Sequence, residues 1–561
     1  MTEPEELFKP DEGRRREAEK THLAPGPGDA AAESVVRFVE KPTERPTIRI
    51  VAGELPKTAT AAERALIESG LPIYQRGSTL VRPIVEEVDA SHGRRTKVAQ
   101  FARVDATYLR DLLARVARWE RYNVRSKAWL AADPPSDVAP TILARFGEWS
   151  FPVVVGVVTT PTLRPDGAIL SVEGYDPATR LILIAPPELP PMSDKPTRED
   201  GLAALMLLES LLEEFPLIDG PSLSVALSAI ITPVCRGAFP VAPMHIARSP
   251  VAASGKSYLF DVAAAIAIGQ LCPVMAAGRT EEETEKRLGA ALLAGQPLIS
   301  IDNLNGELRG DALCQAIERP VVEIRILGRS ERVRIEARGT TFLATGNNLT
   351  LAGDMTRRAI LATLDPQLER PELRQFTADP VGDVLRGRGR YIAAALTAAR
   401  AYIVAGRPDP APRLASFEGW SDTVRSALIW LGRADPVETM AAAREEDPER
   451  AALAALLAGW RDAFGAGWEN RRIVGEALKA VDERDTLLAG DGDYSDGYDR
   501  PYRHPGLREA VETIAATHGR MNAKAFGYFL RKSKGRIVNR LRLANQPDPH
   551  GHAAQWWVEE V

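Results

Sequence analysis

The segment Ser249-Pro250-Val251-Ala252-Ala253-Ser254-Gly255-Lys256-Ser257 holds the residues best suited to chemistry. It follows a short apolar run and precedes the helix-like stretch Tyr258–Gly269, the setting a phosphate-binding loop needs. Peptide N–H groups at a helix start meet phosphate oxygens there, and the positive end of the helix dipole favours the anion. Ala253, Ser254, Gly255, Lys256, Ser257 and Tyr258 are the expected nucleotide contacts, with Lys256 on the β- and γ-phosphates and the Ser257 hydroxyl on magnesium. The first glycine of G-x-x-x-x-G-K-[ST] is Pro250 here, so the segment taken alone also reads as an ordinary helix N-cap with Ser254 capping.

Three further pieces follow in order. Pro297-Leu298-Ile299-Ser300-Ile301-Asp302-Asn303 is an apolar strand ending in a carboxylate, where a magnesium ligand belongs. Thr341-Phe342-Leu343-Ala344-Thr345-Gly346-Asn347-Asn348 is a second apolar strand that delivers polar side chains at its end. An Asn or Thr there can orient an attacking water. Asp354-Met355-Thr356-Arg357-Arg358 supplies two guanidinium groups, and a fixed charge of that kind stabilises a transferring phosphoryl group. Each piece has an everyday alternative: an Asx-turn, a strand end, a solvated helix face. Their order and spacing together point to an NTPase using ATP and Mg2+.

This order resembles the AAA+ P-loop ATPases, and within them the superfamily 3 helicases and the helicase-like ATPases found beside primases in phages and prophages. The stretches Leu71–Arg82 and Pro161–Asp176 resemble the N-terminal part of those phage proteins, so the resemblance covers most of residues 47–561. It implies a homo-oligomer such as a hexamer, with nucleotide between subunits and an association with a primase. On it, Asp302 takes the Walker B acid role, Asn347 or Asn348 senses the γ-phosphate, and Arg357 or Arg358 is the finger reaching a neighbour. One residue departs from the pattern. Many AAA+ proteins follow the acid with a catalytic Glu, and here that residue is Asn303, whose amide cannot serve as a general base. Glu281 and Glu282 are alternative carboxylates, although an acidic cluster also simply opens a helix well.

The end of the chain carries a second kind of chemistry. Arg520, Lys524, Arg531, Lys532, Lys534, Arg536, Arg540 and Arg542 lie in a stretch without an acid. Phe526, Phe529 and Leu530 set a buried helical stripe, and Ile537-Val538, Leu541, Leu543 and Trp556–Val558 suggest a β-wing. A winged-helix-like domain results, with Arg531, Lys532, Lys534, Arg536 and Arg540 expected on DNA phosphates. The alternatives to DNA contact are a solvated basic face or a protein-docking wing. Asp166 and Asp176 sit in turn sequences and read as Asx-turns rather than polymerase carboxylates. Trp420 and Trp430 read as helix core.

These groups need elements to position them. The chain has 561 residues, a prior of three to four domains at about 150 residues each. It divides into a disordered tail (1–45), an α+β N-terminal domain (46–195), an α/β P-loop core with a parallel sheet (200–405), a helical region (406–490) and the basic domain (500–561). Core strands are expected at Met244–Ala247, Val274–Ala277, Leu298–Ile301 and Thr341–Ala344, alternating with helices at Ser257–Gly269 and Glu281–Leu293. In the N-terminal domain a helix is expected near Thr107–Arg118, and Ala168–Val172 is expected to pair with Arg180–Ile184. An acidic linker spans Asp491–Asp499.

Composition narrows the class. Hydrophobic residues at 45% and charged residues at 26% suit a globular chain, and a net charge of −5 places any nucleic-acid contact on local patches. Three separated cysteines without a CxxC pair argue against a zinc ribbon and suit a reducing, cytoplasmic setting. No signal-peptide core and no apolar run of about 18 residues appear, so no membrane role is expected. The expected activity is an ATP-dependent helicase or translocase acting on single-stranded or forked DNA in replication of a phage or mobile element. The alternatives are an ATP-switched origin binder or loader without unwinding activity, and an assembly protein that only binds nucleotide.

Overall fold

A computed structural model of the chain describes residues 45–278, 280–325, 332–484, 501–517, 520–547 and 553–561. Residues 1–44 of the expected tail and the acidic linker Asp491–Asp499 lie outside the described residues.

The centre is a five-stranded, wholly parallel sheet. In chain order its elements are β1 (Met244–Ser249), α1 (Lys256–Ile268), β2 (Val274–Ala276), α2 (Glu281–Ala294), β3 (Leu298–Leu308), α3 (Asp311–Glu318), β4 (Thr341–Leu351) and β5 (Ala359–Thr363). The strands lie in the order β2-β3-β4-β1-β5, so β4 separates β1, which leads to Lys256, from β3, which bears Asp302. The beginnings of β1, β3 and β4 are buried on both faces, which is why they read as continuous apolar runs rather than alternating ones. This mixed α/β architecture is compatible with a P-loop NTPase core.

The region exceeds its sequence reading in three places, two in the central sheet and one in a separate hairpin. β3 and β4 continue in parallel to Leu308 and Leu351, with register shifts after Ile301 and Asn305. Their polar second halves conceal that pairing in the sequence. β5 was not expected, and neither was the hairpin of Val321–Arg325 and Arg332–Glu336 between α3 and β4.

In the N-terminal region, Thr47–Ile50 pairs parallel with Arg118–Asn123, which pairs with Ala128–Ala131; helices Leu55–Glu68, Ala106–Val116 and Val138–Ala144 accompany this sheet. Asp105 caps the expected helix by accepting the Tyr108 N–H at 2.8 Å. A second sheet joins Tyr74–Arg76, Thr79–Asp89 and Arg95–Arg103. The expected pairing of 168–172 with 180–184 does not occur. Ile169–Leu170 folds back on Thr162–Leu163, while Leu181–Leu183 pairs with Gly174–Asp176 and Gly156–Val158. Each of the two turns closes its own hairpin: Asp166 accepts the Ala168 N–H at 2.9 Å, and Asp176 accepts the Thr179 N–H at 3.1 Å. Both aspartates therefore serve as turn formers.

Downstream, the helix α4 (Arg388–Val404) packs on helix Arg198–Glu209. The stretch expected as one helical region divides between two cores. Phe417, Trp420, Val424, Leu428 and Met440 join the central core, whereas Leu453, Leu456 and Trp460 of α5 (Pro448–Phe464) join the C-terminal one. Trp420 is fully buried and Trp430 packs partly buried against the same core, while Trp468 is exposed. The C-terminal core also contains Phe526 and Leu530 of α6 (Ala523–Ser533) and residues of β6 (Ile537–Val538), β7 (Leu541–Pro547) and β8 (Ala554–Glu560). These strands pair antiparallel as β6-β7-β8, giving a helix-and-wing arrangement.

Candidate nucleotide pocket

The loop between β1 and α1 turns on two left-handed residues, Ala253 (φ 55°) and Gly255 (φ 94°). Their curl lets successive peptide N–H groups converge on an anion at the start of α1. Gly255 also lies under an aromatic ring, since a Cβ there would sit 3.6 Å from Phe215. Lys256 begins α1 and folds back over the loop, donating to the Val251 carbonyl at 3.0 Å and to Ser254 Oγ at 2.9 Å. Burial lowers its pKa, and the Asp302 carboxylate opposes that shift. An ammonium held part-buried, against a carbonyl and a hydroxyl only, gains strongly from an incoming phosphate.

Asp302 stands across from the loop at the point where β3 leaves the regular part of the sheet. Its Oδ1 accepts from Ser257 Oγ at 3.0 Å and from Thr345 Oγ1 of β4. Thr345 Oγ1 in turn accepts the Asn303 N–H at 3.0 Å. Asn303 is left-handed (φ 58°), as is Asn348 (φ 47°), a conformation that asparagine tolerates better than most side chains. Two hard oxygens, Ser257 Oγ and Asp302 Oδ1, suit Mg2+ in kind but fall far short of its octahedral demand. Among the described residues no cluster of three His, Cys, Asp or Glu side chains is placed to hold a metal. The remaining ligands would be nucleotide phosphates and water, as Mg2+ usually takes them.

These groups open into one pocket of about 730 Å³. Its polar floor includes residues 252–258, Asp302, Asn303, Thr345 and Asn347. Asn347 lines the pocket, and its buried Oδ1 has no hydrogen-bond partner in the protein. At the other end Phe215, Tyr258 and Phe376 form an apolar wall, with the Phe215 and Tyr258 rings stacked 6.1 Å apart. Tyr258 donates to Asp379 at 2.9 Å, and burial together with that carboxylate raises its phenol to about 12. Glu214 fixes the neighbouring segment by accepting from the N–H groups of Thr377 and Ala378 and from the Thr377 hydroxyl.

The structure thus brings Ala253, Ser254, Gly255, Lys256, Ser257, Tyr258, Asp302 and Asn347 to one pocket. Asn348 is exposed beside it and lines a neighbouring cleft. Glu282 is not in the pocket: its carboxylate is 74% exposed and pairs with Lys286 at 2.8 Å, one turn along α2. Arg358 is also misplaced as a finger. Its side chain is buried and held by Glu318 and Asp354, so it does not extend to a neighbouring molecule. Arg357 is half-exposed but pairs with the same two acids, Asp354 at 2.8 Å and Glu318 at 3.5 Å. His92, Glu213, Phe215 and Phe376 also line the pocket and were not expected. Phe215 ends an apolar helix pattern and could have been found there, but no local signal marks His92.

The basic residues divide as well. Arg531, Lys534 and Arg540 are exposed. Lys532 donates to Glu449 at 2.6 Å and Arg536 lies 3.6 Å from the same carboxylate, so α5 partly neutralises both. Asn539 and Arg540 both have positive φ and form the two-residue turn from β6 to β7, which holds Arg540 at a hairpin tip. Tyr528 is exposed on the same helix as Arg531. The three cysteines are unpaired and buried, and no helix among the described residues is long and apolar enough to cross a membrane.

No family model and no curated protein matches this chain. Among solved structures it is similar to the A-form apo structure of the NrS-1 C-terminal region, at 10% identity and a TM-score of 0.36 over 88% of this chain and 98% of that one. A second apo structure of that region (305–718) gives 11% identity and a TM-score of 0.35, covering 89% and 99%. JCV helicase bound to a thiazolopyridine compound gives 12% identity and a TM-score of 0.20, covering 42% and 68%.

Proposed function

We propose that the chain is an ATP-dependent DNA helicase or translocase that binds MgATP in the pocket of Lys256, Ser257 and Asp302. The observation that carries this reading is the Ser257–Asp302 hydrogen bond across the mouth of the parallel sheet, with Lys256 beside it. Lys256 would exchange its loop partners for phosphate oxygens, while Phe215 and Tyr258 would stack the base. Ser257 and Asp302 would hold the magnesium, which screens phosphate charge when bound. Thr345 keeps the Asp302 carboxylate aimed at that position, and Asn347 offers an acceptor to a water near the terminal phosphate. Arg357 would be the finger offered to a neighbouring copy in a ring. The ring, a primase partner and a place in phage or mobile-element replication rest on the motif resemblance.

A second reading is an ATP-switched DNA-binding protein without unwinding, such as an origin binder or loader, and Asn303 favours it. The pocket's carboxylates are Asp302, Glu213 and Glu214; the first is engaged with Ser257 and Thr345 and the third with Thr377. That leaves Glu213 as the carboxylate with the least engagement in this network. The test is nucleotide binding, ATP turnover with and without single-stranded DNA, and unwinding of a forked duplex. Lys256→Ala is expected to weaken ATP binding about ten- to hundredfold, the worth of charge-assisted phosphate contacts. DNA-stimulated turnover with strand separation supports the motor. Tight binding with negligible turnover supports the switch, and no binding by wild type sinks both.

A further inference from the structure

The turn Ser91–Gly93 joins the strands Thr79–Asp89 and Arg95–Arg103 of the N-terminal region, and its tip lines the pocket. His92 there is left-handed (φ 57°), followed by Gly93 (φ 69°). A non-glycine residue in that conformation is uncommon and persists where surrounding contacts impose it. Those contacts are present. Arg94 donates to the Ser91 carbonyl at 2.9 Å and to Asp261 Oδ2 at 2.5 Å. Asp261 lies on α1, its side chain is fully buried, and its other oxygen accepts the Cys272 N–H at 3.0 Å. Thr96 Oγ1 donates to the Leu271 carbonyl at 2.9 Å, and Ala90 bridges Pro273. One buried carboxylate therefore ties the turn both to the P-loop helix and to the segment leading into β2.

The side from which His92 enters decides what it meets. Phe215 and Pro216 belong to the opposite edge of the sheet: the Asp365 N–H, just past β5, donates to the Pro216 carbonyl at 2.8 Å, and the Ile218 N–H donates to Thr363 of β5 at 3.2 Å. The pocket therefore runs from aromatic rings on the β5 side, over the P-loop, to Asp302 on β3, with His92 entering from the β2 side. A nucleotide with its base on the rings and its phosphates on the loop points its last phosphate toward Asp302 and His92. We propose that His92 is a triphosphate contact, its imidazole N–H donating to the terminal phosphate, and that Arg94 is its positioning residue. The N-terminal region would then read whether the pocket holds a triphosphate or a diphosphate. This rests on the nucleotide reading of the pocket.

Equilibrium binding of Mg2+ with AMP-PNP, and separately with ADP, to the full chain tests the proposal. His92 is exposed, so His92→Ala leaves the core intact. AMP-PNP affinity is expected to fall about tenfold, the worth of one charge-assisted hydrogen bond, with ADP affinity within about twofold. His92→Asn, which keeps an N–H donor and tolerates left-handed backbone, is expected to recover part of the loss. The double variant Arg94→Ala/Asp261→Asn avoids an unpaired buried carboxylate and is expected to show the same selective loss; an unchanged AMP-PNP affinity there removes the positioning role. Equal losses for both nucleotides, or none, in His92→Ala overturn the proposal. Wild type that binds neither nucleotide overturns the pocket reading instead.

Discussion

At the scale of single residues, Thr345 links the two strands that matter most. Its hydroxyl donates to Asp302 and accepts from the Asn303 backbone. Thr345→Val keeps the shape, strands that N–H and frees the carboxylate to turn, at a stability cost of about 1–3 kcal/mol. The expected signature is a loss of ATP affinity in the presence of Mg2+ with little change in its absence, measured by titration under both conditions. His245 gives a residue-scale prediction about acid. It is fully buried on β1, bonded to Ser228 at 2.8 Å, and burial lowers its pKa to about 3. The unfolded chain takes up a proton near the ordinary value of about 6.5 while the folded chain does not, so the unfolded state gains as pH falls. Stability from this residue is full above pH about 6.5 and declines toward about 3, by about 1.4 kcal/mol per unit. His245→Gln is expected to flatten that limb of a urea-midpoint versus pH curve; an unchanged slope refutes it.

At the scale of elements, two buried arginines hold helix ends. Arg76 donates to the Leu292 carbonyl at 2.7 Å, to Leu293 at 3.3 Å and to Val155, so a strand of the N-terminal region grips the C-terminus of α2. Arg388 similarly meets the Ile266 and Ala267 carbonyls at the end of α1. Both sit where a cation offsets the negative end of a helix; the Leu292 carbonyl also accepts the Gly295 N–H at 3.1 Å. Burial lowers their guanidinium values to about 10 and about 9, still far above neutrality. Arg76→Ala is expected to cost about 2–4 kcal/mol, since three carbonyls, two of them in buried hydrogen bonds, lose a charged donor at once. Differential scanning calorimetry should show the N-terminal and central regions melting apart; a single unshifted transition would count against this. The sequence shows Arg76 only as one arginine within Leu71–Arg82, because its acceptors lie 79 to 217 residues away. The same limit hid the second half of β3, where Asp302, Asn303 and Asn305 read as a strand end and only the β4 partner makes them a strand.

At the scale of the whole molecule, a net charge of −5 means that the proposed DNA contact must rest on a local basic patch such as the C-terminal one. If Arg531, Lys534 and Arg540 each neutralise one phosphate, replacing all three with Gln should lower the slope of log K against log salt by about 2 on single-stranded DNA. Lys532→Gln and Arg536→Gln should do less, because Glu449 already faces them. Fluorescence anisotropy across a salt series measures both; equal effects from the two sets would remove the distinction.

What the sequence determined was local and periodic. The loop beside the start of α1, the apolar beginnings of β1, β3 and β4, the turn aspartates and the buried stripe of α6 are all written in neighbouring residues, where hydrophobic period and backbone preference act. Pro250 stands where the pattern has its first glycine, and the loop's left-handed turns fall at Ala253 and Gly255. Tertiary structure alone decided the rest. It buried Arg358 and left Arg357 half-exposed on the same two carboxylates, Glu318 and Asp354, placed Glu282 out of the pocket, and brought His92 in. Those outcomes depend on which distant carboxylate or carbonyl each charge meets once water is excluded, and such pairings leave no period in the chain.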